Sequence, residues 1–359
     1  MAEKLTVGIL YGGRSVEHEI SIQSAANVVA NIEKERFDVV LLGIDKRGKW
    51  YWNERVDSHI AHGKSVAISL DALQPSILVL NSNESLRLDV VFPVLHGTDG
   101  EDGSIQGLFQ ALNVPVVGSG VLGSSTAMDK IVSKKILKSC GIRVADFVEF
   151  DRKDEGQIDF QQIVGRLGLP FMVKSSGLGS SVGVSMVKGA SDFDKAIEEG
   201  FRYDAKVVIE QYIRGRELEC AVMGNGSLQV SFPAEIILSK GYDFYTYTAK
   251  YMDDQAVQID LPARISDAAT DKVRQAAMDA YVALQCQDFA RVDLFLTDNQ
   301  EVYINEINTI PGFTRVSMFP AMWQHMGISY SQLISKLIDL CMERFRMANI
   351  HETDFRLPT

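Results

Sequence analysis

The chain is poor in cysteine: four in 359 residues (Cys140, Cys220, Cys286 and Cys341), far apart, with no Cys-x-x-Cys pair. That spacing argues against a disulfide framework or a thiolate metal cluster and fits a reducing compartment, with the thiols as small buried hydrophobes. The start, Met1-Ala2-Glu3-Lys4, runs straight into Leu5–Leu10, which is too short for a membrane span and lacks the pattern of a secretory signal. A cytoplasmic location is the expectation. Positive charge is also in deficit, with 36 Lys and Arg against 47 Asp and Glu, a net charge of −11. The mean field repels nucleic acid and anionic membrane, so neither is expected as a partner, while a local cationic pocket for an anionic substrate stays open. Repeats, low-complexity tracts and long linkers are missing. So are two phosphate-binding fingerprints. Gly63-Lys64-Ser65 matches the end of a Walker loop, but Ser58 stands where its leading glycine belongs, and Gly12-Gly13 does not extend to Gly-x-Gly-x-x-Gly. A P-loop NTPase and a Rossmann dehydrogenase are thereby disfavoured.

What is present is ordinary globular composition, 46% hydrophobic and 23% charged, in a chain long enough for two or three domains. The runs Leu5–Leu10, Val39–Ile44 and Val90–Val94 are short and almost wholly apolar, as in buried parallel strands. Helix-period apolar positions over Glu17–Ile32 make the first part βαβ, an open α/β layer. Its strand ends carry Gly12-Gly13-Arg14-Ser15 and His96-Gly97-Thr98, where such sheets place ligand loops. From Ser124 the texture changes to a small α+β unit. A basic helix is expected over Met128–Cys140, then strand Phe171–Lys174, the glycine-serine loop Ser175–Gly183, and strand Val207–Tyr212. The last third predicts strands at Leu218–Val222, Ala290–Leu296 and Val302–Ile307, and helices at Ser266–Leu284 and near Ile334–Phe345. The aromatic stretch Tyr242–Tyr251 lacks periodicity and reads as a lid or a plain surface loop.

The sharpest chemistry lies in two strands. Period two puts Arg291 and Asp293 on one face of Ala290–Leu296, with Ala290, Val292, Leu294 and Leu296 facing a core. Glu306 and Asn308 likewise share a face opposite Ile307. Oxygen donors gathered in this way suit a hard cation such as Mg²⁺. Two carboxylates ~4 Å apart would otherwise repel by about 4 kcal/mol at an effective dielectric of ~20. For Arg291 and Asp293 alone, a solvated face with an ion pair is the alternative. Elsewhere, glycine backbone N–H groups of Gly177–Gly183 beside Lys174 could cradle phosphates. Glu210-Gln211-Tyr212-Ile213 could border an adenine, and Glu217 could accept from a ribose diol. Ordinary surface acid is the plainer reading of Glu210 and Glu217.

Together these pieces resemble the ATP-grasp superfamily, and within it the D-alanine–D-alanine ligase family. The motifs run in family order: Gly12-Gly13-x-Ser15-x-Glu17-His18-Glu19-Ile20-Ser21, His96-Gly97-x-x-Gly100-Glu101-Asp102-Gly103, Met128-Asp129-Lys130 and Gly179-Ser180-Ser181-Val182-Gly183. They continue with Glu210-Gln211, Gly215-Arg216-Glu217, Lys250-Tyr251, Arg291-Val292-Asp293 and Asn305-Glu306-Ile307-Asn308-Thr309-x-Pro311-Gly312-Phe313-Thr314. The resemblance implies a three-domain architecture of α/β and α+β character. Residues 1–125 would be an N-terminal α/β domain with an open parallel sheet, the first D-alanine site and a homodimer interface. Residues 126–217 would be the small central domain, and 218–359 the C-terminal domain with metal site and lid.

The implied roles go residue by residue. Lys130 and Lys174 would contact ATP phosphates, Glu210, Gln211, Tyr212 and Ile213 the adenine, and Glu217 the ribose. Ser180 and Ser181 would close over the phosphates. Asp293, Glu306 and Asn308 would hold two Mg²⁺ or Mn²⁺ ions. Glu17 would bind the first D-alanine's ammonium, with His96 near its carboxylate. Arg291 and the Gly312 N–H would stabilise the oxyanion, and Ser317 with Met318 would fix the second D-alanine. Lys250 and Tyr251 would belong to the lid, Tyr251 resembling the dipeptide-forming type. The implied reaction is ATP-dependent joining of two D-alanine molecules through an acyl phosphate, for peptidoglycan precursor synthesis. One departure stands out: Ser175-Ser176-Gly177-Leu178 follows Lys174 where the family has proline and a small residue. Its absence frees the unfolded backbone by about 0.4–1 kcal/mol and predicts a more mobile loop.

Overall fold

The computed structural model describes residues 4–180, 182–239, 241, 244 and 256–348. The N-terminal unit contains β1 (Leu5–Gly12), α1 (His18–Asn31), β2 (Phe37–Ile44), β3 (Trp50–Asn53), β4 (Lys64–Ile68), β5 (Ile77–Val79), β6 (Ser85–Leu86), β7 (Val90–Pro93) and α2 (Ser104–Ala111). Its sheet has the order β6-β5-β4-β3-β2-β1-β7. It is open, as expected, but parallel only across β7, β1 and β2; from β2 to β6 neighbours are antiparallel. The cause is the link after β2. Gly48 N–H donates to Asp45 O at 2.9 Å, a tight turn too short for the crossover that a parallel pair requires. Because β1 and β7 are parallel neighbours, their C-terminal ends lie together and aim the loops carrying Glu17 and His96 the same way.

The middle of the chain begins with α3 (Val121–Met128) and α4 (Lys130–Ser139). The single helix expected from Met128 is interrupted by extended Asp129, whose carboxylate accepts from the N–H groups of Ile131 and Val132 at 3.0 and 3.1 Å. An aspartate so placed starts a new helix. Then come β8 (Phe147–Asp151), α5 (Phe160–Leu167), β9 (Phe171–Ser175), β10 (Val184–Val187), α6 (Ala190–Tyr203) and β11 (Lys206–Gln211). They form an antiparallel sheet, β10-β9-β11-β8, with α5 and α6 covering Phe171, Val173, Val207 and Ile209. Its other face presents Lys174 and Glu210.

The C-terminal unit comprises β12 (Arg216–Met223), β13 (Gln229–Val230), β14 (Ala234–Leu238), β15 (Val257–Asp260), α7 (Asp267–Ala283), β16 (Phe289–Leu296), β17 (Val302–Asn308), α8 (Met318–His325) and α9 (Tyr330–Ala348). The sheet order is β15-β14-β12-β16-β17, antiparallel throughout. Packing crosses the expected domain limits. Ala127, Leu137 and Val144 share a core with α7 and β16, while Leu333, Leu337 and Cys341 of α9 share one with Val7, Ile9 and Ala25. Residues 217 and 218 both lie within β12. No helix among the described residues is long and apolar enough to cross a membrane.

Candidate active site

The alternation read from the sequence holds in β16: Ala290, Val292, Leu294 and Leu296 are buried in one core while Arg291 and Asp293 face the other way. Asp293 lies opposite Glu306, and Arg291 opposite Asn308. Next to Asp293 the register shifts, so that Ile304 and Ile307, three residues apart, both reach the core. This bulge turns Asn305 to the same side as Glu306. Arg291 grips Asp293 bidentately, Nε to Oδ1 at 2.7 Å and an Nη to Oδ2 at 2.8 Å, with Glu219 Oε1 3.4 Å from Nε. Burial alone would disfavour the guanidinium, but Asp293 and Glu219 hold it charged.

Lys130 and Lys134 are one turn apart on α4 and both buried, on the face turned to β9 and β11. Lys130 Nζ donates to Leu178 O at 2.5 Å and sits 3.4 Å from Glu306 Oε2. Glu210 stands between two ammonium groups, Lys174 on Oε1 at 2.5 Å and Lys134 on Oε2 at 2.7 Å. Burial pushes its carboxyl up; the two lysines overcome that and hold it at about 2. Lys174 also donates to Asn305 Oδ1 at 3.1 Å. A cavity of about 350 Å³ opens here between the central and C-terminal sheets. It is lined by Lys130, Lys174, Glu210, Gln211, Tyr212, Ile213, Glu217, Asp293 and Glu306, among others.

A smaller space of about 50 Å³ adjoins it, sharing Lys130, Leu178 and Glu306, and bordered by Glu17, Glu101, Ser180, Arg291 and Asn308. Ser180 has a left-handed backbone, φ 52°, and its hydroxyl donates to Glu17 Oε1. Gly97 is a necessity: a Cβ there would come within 2.6 Å of Ser15 Oγ and 3.1 Å of Glu17 Oε2. Its N–H donates to Glu101 Oε2 at 2.7 Å. Burial, and then the nearby Glu17 charge, push the Glu101 carboxyl well above the ordinary range. His96 is buried with a lowered pKa, first through desolvation. Its ring is 2.9 Å from Ile310 O through Nδ1 and 3.2 Å from Ser24 Oγ through Nε2; Ser24 Oγ in turn accepts from Phe313 N. These contacts assign neutral His96 with the proton on Nδ1, bracing the loop that bears Gly312. Gly312 has no room for a side chain, since a Cβ would lie 2.7 Å from Ser317 Oγ.

The sequence models described as D-ala D-ala ligase N-terminus and D-ala D-ala ligase C-terminus match residues 6–119 and 136–339. D-alanine–D-alanine ligase A of Salmonella typhimurium is 47% identical, over 98% of this chain and 99% of that protein. The chain belongs to the D-alanine–D-alanine ligase family. Among solved structures, the D-alanine–D-alanine ligase of Coxiella burnetii superposes with a TM-score of 0.85 at 38% identity, covering 97% of each chain. The VanG D-Ala:D-Ser ligase of Enterococcus faecalis gives 0.85 at 37% identity, covering 94% of this chain and 99% of that one. These neighbours share the three-sheet ATP-grasp fold with this member of the D-alanine–D-alanine ligase family.

Of the residues that the family resemblance singles out, Lys130, Lys174, Glu210, Gln211, Tyr212, Ile213, Glu217, Asp293 and Glu306 line the larger cavity, and Glu17, Ser180, Arg291 and Asn308 the smaller. His96, Gly312, Ser317 and Met318 line neither; Met318 is in the apolar core, and Ser317 Oγ accepts from Thr314 N at 2.9 Å. Ser181, Lys250 and Tyr251 fall outside the described residues. Ser175 and Ser176 are tied down where mobility was expected. Ser175 N–H reaches Gly183 O at 3.1 Å, its hydroxyl Gly200 O at 2.7 Å, and the Ser176 hydroxyl Asp129 Oδ1 at 2.7 Å. A proline in place of Ser175 would forfeit the first of these. Sequence reasoning missed Lys134, Glu219, Asn305 and the burial of Glu101. A lysine one turn after Lys130 and two isoleucines three apart in a strand were the available signals.

Proposed function

We propose that this chain joins two D-alanine molecules with ATP, releasing ADP and phosphate, in the cytoplasm and in the service of peptidoglycan synthesis. The observation that carries the reading is the facing of Asp293 and Glu306 across β16 and β17, where the ~350 Å³ and ~50 Å³ cavities meet. ATP would lie in the larger, between the central unit (126–217) and the C-terminal unit (218–359), with its γ-phosphate toward Lys130 and Glu306. The first D-alanine would lie in the smaller, its ammonium on Glu17.

In the first step a carboxylate oxygen of that D-alanine attacks the γ-phosphorus and ADP leaves, giving an acyl phosphate. The amine of the second D-alanine then attacks the acyl carbon and loses a proton, and phosphate departs with the C–O bonding pair. This chain contributes positioning and charge: Lys130 and Lys174 on phosphate oxygens, Arg291 and the Gly312 N–H on the oxyanion. Ser180 ties the glycine-serine loop to Glu17, closing the site against water that would hydrolyse the acyl phosphate. The donors present suit a hard divalent metal in kind: two carboxylates, of which Asp293 is engaged by Arg291, and the Asn308 amide form an all-oxygen set. Two Mg²⁺ or Mn²⁺ held by Asp293, Glu306 and Asn308 would supply neutralisation of the phosphoryl oxygens. A homodimer through the N-terminal unit belongs to the same proposal.

Phosphate release from ATP with D-alanine, set against L-alanine, tests the reading. Release confined to the D-isomer, with dipeptide formed, is the expected result; equal release with both would overturn it. D-serine and D-lactate as competing acceptors test the second substrate, and a preference for either would replace D-alanine there.

A further inference from the structure

Among the described residues Lys134 is the most deeply buried lysine of the site, 2% exposed, and it lines neither cavity. Behind the nucleotide cavity its Nζ sits 2.7 Å from Glu210 Oε2, and the other oxygen of the same carboxylate sits 2.5 Å from Lys174 Nζ. Other charges near this trio are Lys130 on the same helix face, and Glu306 and Glu217, which act on Lys174 from β17 and β12. Burial is the largest influence on Lys134 and lowers its pKa; the Glu210 carboxylate opposes that and favours the charged ammonium, and the two lysines do the same for the buried carboxylate. With Glu210 and Lys174 alone the pair would be neutral, and a triphosphate would meet a cancelled charge. With Lys134 added, the trio carries one net positive charge, and it is Lys174 that borders the cavity.

Building on the assignment of Lys174 to phosphate binding, we infer that Lys134 is a positioning residue for nucleotide: it neutralises Glu210, so that Glu210 fixes the Lys174 ammonium without cancelling its charge. The residue touches no substrate. It acts through the carboxylate between the two lysines, and its effect belongs to ATP and not to D-alanine.

The test is steady-state kinetics on the full chain with Lys134→Met, Lys174→Met and the double variant Lys134→Met/Glu210→Gln, each checked by thermal melting. Lys134→Met is expected to raise KM for ATP on the order of tenfold, the scale of one charge-assisted contact, and to leave KM for D-alanine within about twofold. Glu210→Gln added to it should recover most of the lost ATP affinity, because an uncharged amide no longer cancels Lys174. A purely structural Lys134 would instead make the double variant as weak as the single one or weaker. That outcome, or an unchanged KM for ATP in Lys134→Met, overturns the inference. If Lys174→Met also leaves KM for ATP unchanged, the phosphate role of Lys174 is what fails. Should Lys134→Met not fold, Lys134→Gln removes the charge while keeping a donor, and the same two readings apply.

Discussion

Glu210 and Glu101 are buried almost equally, at 3% and 6% exposure, yet their carboxyls are driven in opposite directions. Glu210, at the larger cavity, is held at about 2; Glu101, at the smaller, is pushed well above the ordinary value. Desolvation is the largest influence on both and acts upward on both. What differs is company. Glu210 has an ammonium on each oxygen, whereas Glu101 has the Gly97 N–H on one oxygen and the Glu17 carboxylate nearby. Burial therefore sets the stakes in this site and counter-charge decides the sign. Beside the larger cavity the buried carboxylate is held charged by two lysines; beside the smaller one it is pushed toward its neutral form.

The largest effect should come from removing the counter-charge on the nucleotide side. Glu210→Ala leaves Lys134 and Lys174 buried without their shared partner, which should cost about 3–5 kcal/mol of stability, read by chemical denaturation. A loss under 1 kcal/mol would mean that water or other carboxylates already serve the lysines. Next comes the acid pair where the two sides meet. Asp293→Ala or Glu306→Ala should lower phosphate release by about 10²–10³-fold while circular dichroism stays native; near wild-type turnover would refute their assignment to metal and phosphate. On the substrate side, Glu17→Gln should raise KM for D-alanine roughly tenfold, the loss of a charge-assisted contact, and leave KM for ATP unchanged. Equal rises in both constants would show that the two cavities are not functionally separate.

The parts legible in the sequence were those governed by local periodicity. The alternation of β16 and the apolar run of β1 follow from residue order, so Arg291, Asp293 and Glu306 can be placed on shared faces from the sequence. What stayed hidden depends on tertiary register. Asn305 reaches the site only because the β16–β17 ladder slips by one residue after Asp293. Glu219 meets Arg291 only because β12 lies beside β16, and Lys134 meets Glu210 only because α4 lies against β11. The antiparallel half of the first sheet escaped notice for a related reason: apolar runs mark strands but carry no direction, which the short turn after Ile44 imposes. The lysine partners of Glu210 are distant in sequence and meet it only in the fold.

The smallest effect is the one that tests the comparison most directly, because it concerns only a sign. In the unfolded chain Glu101 titrates near the ordinary glutamate value of 4.5; in the folded chain burial and Glu17 raise it. Between those two values the native state holds a proton that the unfolded state has released, so the native state binds more protons and stability falls as pH rises. Below about 4.5 both states are protonated and the effect vanishes. Glu101→Gln removes the titration. Its stability relative to wild type should thus climb as pH increases from about 4.5, and level off once Glu101 ionises in the folded protein. Glu210 gives the mirror image. Its folded value is depressed, so its contribution is complete above about 4.5 and is lost as pH falls toward about 2. Denaturation of wild type and Glu101→Gln across pH 4–8 decides the matter. A difference that stays flat, or shrinks with rising pH, would mean that Glu101 is as well compensated as Glu210 and that the two cavities do not differ in the way described.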